Sequence, residues 1–493
     1  MSNDQPPTTE PQSPFSRYRD IIPDWEQFQE VIKRPLATTI WANPLKTTPE
    51  ALSAKLTAAN VPHEPISWYP GGFRLPANFK PGLRWEYLAG LYQVQEEIAL
   101  LPVLMMNIEA DDRVLDMCAA PGNKTAQLSV ALNNKGTVVA NDRNVGRMRA
   151  ASQTLNRLGL LNITTTTVDA ANYSKHAGQF DKVLADVPCT CEGTCRRDKS
   201  LLIKPVKAGK LVGTQKAILR KAVHLCRPGG QIIYATCTFS PEENECVVDA
   251  ILQEFGDQLH IVEANVPADL TTSSGLTKWQ DQQLDPSLQK TSRIWPHQND
   301  TGGFFVAVLE KSMSEQAIER HGDTANPSSP PRFSPPRPLA FDEEREPWLT
   351  ILEDRFGIPK TTFDEYAIYR VGKKKIYIVN REQMLLVKPQ ADQVGMHFMR
   401  VEGKYPKLTT GAAMIFGPFA QRNVLTLTPE QAKAFYLREE FPINDTQASQ
   451  LNGNGYVMLR YQDAFIGQGT FYIDGQRIAS LFPKAWSRPN LVV

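Results

Sequence analysis

A chain of 493 residues with 41% hydrophobic and 22% charged residues has the composition of a soluble protein of two or three domains. Its formal net charge of +1 neither demands nor excludes a nucleic acid as partner, so local charge must decide. No apolar run is long enough to cross a bilayer, and the N-terminus, M-S-N-D-Q-P-P, has neither an apolar signal core nor an arginine-rich address, so a cytoplasmic protein is expected.

Taken in order, residues 1–16 read as a disordered polar tail. Residues 17–106 read as a small α+β domain. It has a strand at Thr38–Ala42, a capped helix start at Thr48-Pro49-Glu50, a turn at Pro70-Gly71-Gly72 and a helix over Ala89–Met106. In residues 107–312 strands alternate with helices. Strands are predicted at Arg113–Met117, Gly136–Ala140, Ile163–Val168, Phe180–Val187, Gln231–Ala235, His260–Ala264 and Gly303–Leu309. Helices are predicted after Cys118–Thr125 and over Gly146–Leu158, Gly213–Cys226 and Glu242–Phe255. This alternation predicts an α/β fold with a parallel, doubly wound, Rossmann-like sheet. Residues 313–340 form a Pro-rich linker, with six prolines in the thirteen residues from Asn326 to Pro338. Residues 341–493 read as a C-terminal β-rich domain, with strands such as Ile376–Val379 and Met384–Val387.

Chemistry concentrates at the strand ends, where ligands bind in open α/β sheets. The turn Cys118 to Thr125 joins a strand to a helix, and Gly122 permits close backbone approach there. The turn is neither G-x-G-x-x-G nor a Walker loop, so neither a dinucleotide nor ATP is indicated. Asp142 is placed to accept from ribose hydroxyls, and Asp169 to reach an adenine amino group. Each taken alone is equally well a helix cap or turn residue. Together the three strand ends favour an adenosine-containing ligand. Asp186 and Cys189 follow one strand, and Cys237 follows another. Seven cysteines crowd between Cys118 and Cys246, which suits reduced thiols better than a disulfide scaffold. Cys118, Cys226 and Cys246 read as ordinary buried small residues. Cys189, Cys191 and Cys195 give C-x-C-x-x-x-C, without a repeated C-x-x-C or a nearby histidine. An iron–sulfur triplet would need cysteine at Asp198, so no metal is expected.

The runs L-D-M-C-A-A-P-G-N-K-T, A-N-D, V-D-A, D-V-P-C-x-x-E-G-T and A-T-C-T-F-S-P-E-E-N-E together resemble the NOL/NOP/Sun family of RNA cytosine-5 methyltransferases, and most of all its bacterial ribosomal-RNA branch. The likeness spans Tyr87 to Lys311. It implies S-adenosylmethionine as cofactor, held or bordered by Cys118, Ala119, Ala120, Pro121, Gly122, Asn123, Lys124, Asp142, Asp169 and Asp186. It implies Cys237 as nucleophile and Cys189 as the group assisting product release. Asp186 is suited to the cytosine amino edge, and Lys124 to orienting these groups or lowering a thiol pKa. Thr190-Cys191, where the family often has Ser-Gly, and Cys195 depart from its pattern. Gly455 to Trp486 is loosely similar to the PUA-like domains fused to such enzymes.

The chemistry suits these residues. Carbon 5 of cytosine becomes nucleophilic once a thiolate adds to carbon 6, and a base must later remove the carbon 5 proton. From Arg196 to Arg227 there are ten Lys/Arg and one acidic residue, Asp198, which reads as a phosphate-binding surface. Lys373-Lys374-Lys375 adds a second basic point. The expected partner is structured RNA, with ribosomal RNA favoured over tRNA by the resemblance. The competing readings are a non-catalytic RNA-binding assembly factor on the same fold, which both thiols speak against, and a small-molecule methyltransferase, which the basic run opposes.

Overall fold

The computed structural model describes residues 13–203, 209–313, 341–401 and 407–493. The linker from 314 to 340, and Lys204 and Lys207 of the basic run, lie outside the described residues.

The N-terminal region is built on four antiparallel strands, β1 (Thr38–Ala42), β2 (Glu64–Pro65), β3 (Gly72–Leu75) and β4 (Tyr92–Val94), in the order β2-β3-β1-β4. Two helices accompany them, α1 (Trp25–Val31) and α2 (Pro49–Ala58). Thr48 caps α2 by accepting from the Ala51 N–H, as its position before Pro49 predicts. The expected helix over 89–106 is absent. Tyr92–Val94 pairs with β1 instead, flanked by the short helices α3 (Trp85–Leu88) and α4 (Leu101–Leu104), with a 3-10 turn at Glu97–Leu100 leading into α4. A short apolar run does not distinguish strand from helix, and here the open edge of β1 decides.

The central sheet carries five parallel strands in the order β9-β8-β5-β6-β7: β5 (Arg113–Asp116), β6 (Thr137–Asn141), β7 (Ile163–Thr166), β8 (Phe180–Asp186) and β9 (Cys226–Thr236). Strands β5, β6 and β7 are buried throughout, as parallel strands covered on both faces must be. Helices α5 (Asn123–Ala131) and α6 (Val145–Leu158) cover one face through Leu128, Met148 and Leu155. Helices α7 (Val212–Leu225) and α8 (Glu245–Phe255) cover the other through Ile218, Leu219 and Val248. The sheet is not purely parallel. After β10 (Leu259–Ile261), β11 (Ser273–Ser274) and a small hairpin of β12 (Lys278–Trp279) and β13 (Gln282–Gln283), strands β14 (Ser292–Ile294) and β15 (Phe304–Lys311) extend it, with β15 antiparallel to β9. The chain leaves β5 toward β6 on one side and β8 on the other, so a crevice opens between the C-terminal ends of β5 and β8.

The C-terminal region holds a four-stranded and a five-stranded sheet with helices between them. Strand Lys375–Asn380 covers the predicted Ile376–Val379. Met384–Val387 is not a strand: the Met384 N–H donates to Thr137 Oγ1, and the segment docks on the β6 end without a ladder partner. Gln393–Val394 then adds an antiparallel edge to β7. Of the tail expected over residues 1–16, the described residues 13–16 belong to the fold instead. Phe15 is 2% exposed and packs edge-on to Phe28 and Phe239. Burying an aromatic ring outweighs the polar composition around it.

Candidate active site

A cavity of about 430 Å³ lies in the crevice, lined by the ends of β5, β6, β8 and β9. At its floor β5 ends in Asp116, which the sequence reading did not single out. Asp116 accepts from Thr125 Oγ1 at 2.7 Å, while its Oδ1 is buried with no hydrogen-bond partner among the described residues. Burial pushes its carboxyl up to about 7. The following turn crosses to α5 through Gly122, whose φ of +100° is left-handed. A Cβ there would come within 3.2 Å of Ala151 Cβ.

Cys118, Ala119, Ala120, Pro121, Asn123 and Lys124 all line this cavity, and Gly122 caps the helix beside them. Asp142, after β6, is 3% exposed. It accepts from the Asn144 N–H at 2.8 Å and faces Arg147 at 3.3 Å. Asp169 follows β7 and caps a short 3-10 turn by accepting from the Ala171 N–H. Both aspartates thus make the local bonds of turn residues while lining the cavity.

On the other wall Lys124 Nζ donates to Asp186 Oδ2 at 2.8 Å. Burial works against the Lys124 charge, but the Asp186 carboxylate outweighs it and holds the ammonium above its ordinary pKa. The loops after β8 and β9 bring Cys189 Sγ within 3.4 Å of Cys237 Sγ, although 48 residues separate them. Cys191 is exposed at the rim, with its Sγ 4.0 Å from that of Cys189. The hydrogen bond from Cys189 favours a thiolate on Cys237, but Cys191 and burial outweigh it and hold Cys237 above the ordinary thiol range. Hydrogen bonds from the neighbouring thiols of Cys189 and Cys237 hold Cys191 below that range. Cys195 is fully buried among aromatic rings, away from this cluster.

The two thiol loops are braced by residues that the motifs contained but that were given no role. Glu243 accepts from Thr190 Oγ1 at 2.7 Å, the Thr190 N–H at 3.0 Å and Gln215 Nε2 at 2.8 Å. Glu192 accepts from Thr238 Oγ1 at 2.8 Å and from Tyr18 OH at 3.0 Å. The Gly193 N–H donates to the Cys237 carbonyl at 2.9 Å.

The sequence model of 16S rRNA methyltransferase RsmB/F matches residues 103–310, and that of the N-terminal domain of 16S rRNA methyltransferase RsmF matches residues 11–97. The chain belongs to the RsmB/F family. Among relatives, ribosomal RNA small subunit methyltransferase F of Aeromonas salmonicida is 29% identical over 94% of each chain. The human 28S rRNA (cytosine(4447)-C(5))-methyltransferase is 32% identical over 64% of this chain and 40% of its own. Among solved structures, a methyltransferase homolog from Pyrococcus horikoshii is 28% identical with a TM-score of 0.51, covering 58% of this chain and 90% of that one. NSun6 from Pyrococcus horikoshii, solved with SFG, shares the fold at 20% identity and a TM-score of 0.52, over 62% of this chain and 99% of its own.

Beside this RsmB/F core the predicted phosphate surface changes character. Arg196 is 3% exposed and donates to the Thr301 and Pro35 carbonyls. Lys199 Nζ donates to the Ile32 and Lys33 carbonyls. Arg220 pairs with Glu254, and Arg227 with Asp181. Half of the run's described cations therefore serve the fold, because a charge run does not reveal which acids and carbonyls the fold brings to it. Arg197 is exposed and lines the cavity, and Lys210 is exposed. No helix among the described residues is long and apolar enough to cross a membrane.

Proposed function

We propose that this chain methylates carbon 5 of a cytosine in ribosomal RNA, using S-adenosylmethionine and a transient bond between Cys237 and carbon 6. The observation that carries the reading is the pair of thiols 3.4 Å apart, sharing one cavity with the Lys124–Asp186 pair. The residues present suit the cofactor. Asp116 Oδ1 is a buried acceptor with no partner among the described residues, and the turn residues Cys118 to Pro121 and Asn123 line the cavity beside it. Asp142 and Asp169 offer carboxylates from the next two strand ends. S-adenosylmethionine supplies an electrophilic methyl group there.

The chain's own residues do the rest. Asp186, oriented by Lys124, accepts from the cytosine amino edge and favours electron density on carbon 5. Cys237 forms a sulfur–carbon 6 bond, and carbon 5 gains the methyl group. The carbon 5 proton then leaves to a base, the sulfur–carbon bond breaks, and the ring regains its double bond. Cys189, in contact with Cys237, assists that release. The Lys124 charge beside Cys237 favours its thiolate once the base has displaced water. A cytosine in folded RNA must leave its stack to reach a thiol at this depth. The C-terminal region, which resembles PUA-like domains only loosely, adds RNA-binding surface. The protein acts in the cytoplasm.

Bisulfite sequencing of ribosomal RNA from cells with and without the gene tests this reading. One small-subunit cytosine should lose its protection when the gene is absent. Identical ribosomal maps, with a difference in tRNA instead, would redirect the activity to tRNA.

A further inference from the structure

Cys191 has no part in the two-thiol reaction, yet the fold brings its sulfur to the same point. The Sγ atoms of Cys189, Cys191 and Cys237 all lie within 4.8 Å of one another, at 3.4 Å for Cys189–Cys237 and 4.0 Å for Cys189–Cys191. Thiolates bound to one Zn²⁺ at about 2.3 Å stand about 3.8 Å apart in a tetrahedral site and about 4.0 Å apart in a flattened one. The observed separations bracket those values, so one ion reaches all three sulfurs with small side-chain adjustments.

The backbone holds this arrangement. Cys191 has a φ of +59°, a left-handed conformation that is costly for a residue with a Cβ. The Thr190 bonds to Glu243 and the Gly193 bond to the Cys237 carbonyl fix the loop on either side of it. Three thiolates on a divalent cation leave one net negative charge, and Lys124 and Arg197 line the same cavity. Spacing along the chain argued against a metal because C-x-C-x-x-x-C, with Cys195 as its third member, neither repeats a C-x-x-C nor has a nearby histidine. The fold buries Cys195 and supplies Cys237 instead.

We propose that Cys189, Cys191 and Cys237 form a site for a thiophilic d¹⁰ cation of the Zn²⁺ class, and that its occupation reversibly arrests methyl transfer by sequestering both reactive thiols. Binding releases the thiol protons to solvent and requires no oxidant. The arrest rests on the function proposed above, whereas the binding does not.

The test uses the full, reduced protein. Zn²⁺ is titrated against a chromophoric chelator, and Co²⁺ is added separately to report sulfur-to-metal charge transfer. One ion should bind per chain, with the cobalt charge-transfer band present. Cys191→Ser should weaken binding by at least the roughly tenfold to hundredfold that loss of an outer partner alone costs. Cys195→Ser should bind as wild type. The Zn²⁺ concentration that halves RNA methylation, referred to each protein's own zinc-free rate, should rise in parallel in Cys191→Ser, and chelator should restore the wild-type rate. Equal affinities for wild type and Cys191→Ser, or cobalt binding without a thiolate band, would overturn the site. Tight thiolate binding with undiminished methylation would overturn the arrest. A chain that binds zinc in this way but never methylates RNA when metal-free would contradict the proposed function and not the site.

Discussion

Asp116 is a carboxyl that the fold holds against its own ionisation. Its pKa is raised to about 7 by burial, and the acid is ordinarily near 3.8. The folded state therefore binds more protons than the unfolded state across that window. The contribution is complete below about pH 4 and is lost as pH rises through about 7. Without cofactor, Asp116→Asn should gain thermal stability over wild type as pH increases from 4 to 7, reaching a few kcal/mol and then levelling off. A melting-temperature difference that stays constant across this range would show that the carboxyl is not held in this way. Asp142 argues differently, because its value lies in a ligand. Asp142→Ala should weaken S-adenosylmethionine binding by about 1–3 kcal/mol, the cost of a lost charged acceptor, as read by calorimetry. Wild-type affinity would remove Asp142 from the site. Asp142 and Asp169 were visible in the sequence because each follows a strand-forming run, the apolar T-V-V-A for Asp142 and the β-branched I-T-T-T-T-V for Asp169. Asp116 lay in L-D-M-C inside such a run, and sequence does not tell an inward carboxylate from a capping one.

At the scale of elements, the reactive geometry belongs to two loops stitched across the ends of β8 and β9. Glu192, Gly193 and Glu243 make the stitches. Gly193 has no space for a side chain: a Cβ would run into the Gly303 carbonyl oxygen and approach the Cys237 carbonyl oxygen to 2.9 Å. Gly193→Ala should destabilise the fold by about 1–3 kcal/mol, as overpacking of a tight site does, and should cut methyl transfer by more than the loss of folded protein explains. Urea denaturation alongside activity per folded molecule checks this, and a variant matching wild type in both would show the loops to be independent. The strands of the parallel core were legible as apolar or β-branched runs that end in acids or thiols. Strand β4 was not, because its pairing depends on β1, fifty residues earlier in the chain. The bracing acids were printed in E-G-T and S-P-E-E-N-E, but their partners come from Tyr18, Thr190 and Gln215, which no local pattern links to them.

Across the whole molecule, the appended regions close on the core. Asn380 donates to the Gly136 carbonyl, just before β6, and Gln383 to Thr164 of β7, while Phe15 and Phe28 pack against Phe239 beside the Cys237 loop. The basic run that looked continuous in sequence is divided by the fold between internal pairs and surface. Lys373, Lys374 and Lys375, by contrast, are all exposed on one strand-to-strand turn. Replacing the three with Gln should flatten the dependence of RNA affinity on salt by about 2 in log–log slope, with cofactor affinity unchanged. An unchanged slope would make them solvated surface only. The central claim is that Cys237 bonds to the base and Cys189 is needed to let it go. It is tested most directly by incubating Cys237→Ala, Cys189→Ala and the double variant with ribosomal RNA and S-adenosylmethionine, then running denaturing gels. The account predicts a protein–RNA band that survives denaturation for Cys189→Ala alone, and no activity in Cys237→Ala. A trapped band in Cys237→Ala with none in Cys189→Ala would reverse the two roles, and full activity in Cys237→Ala without any band would contradict the covalent route.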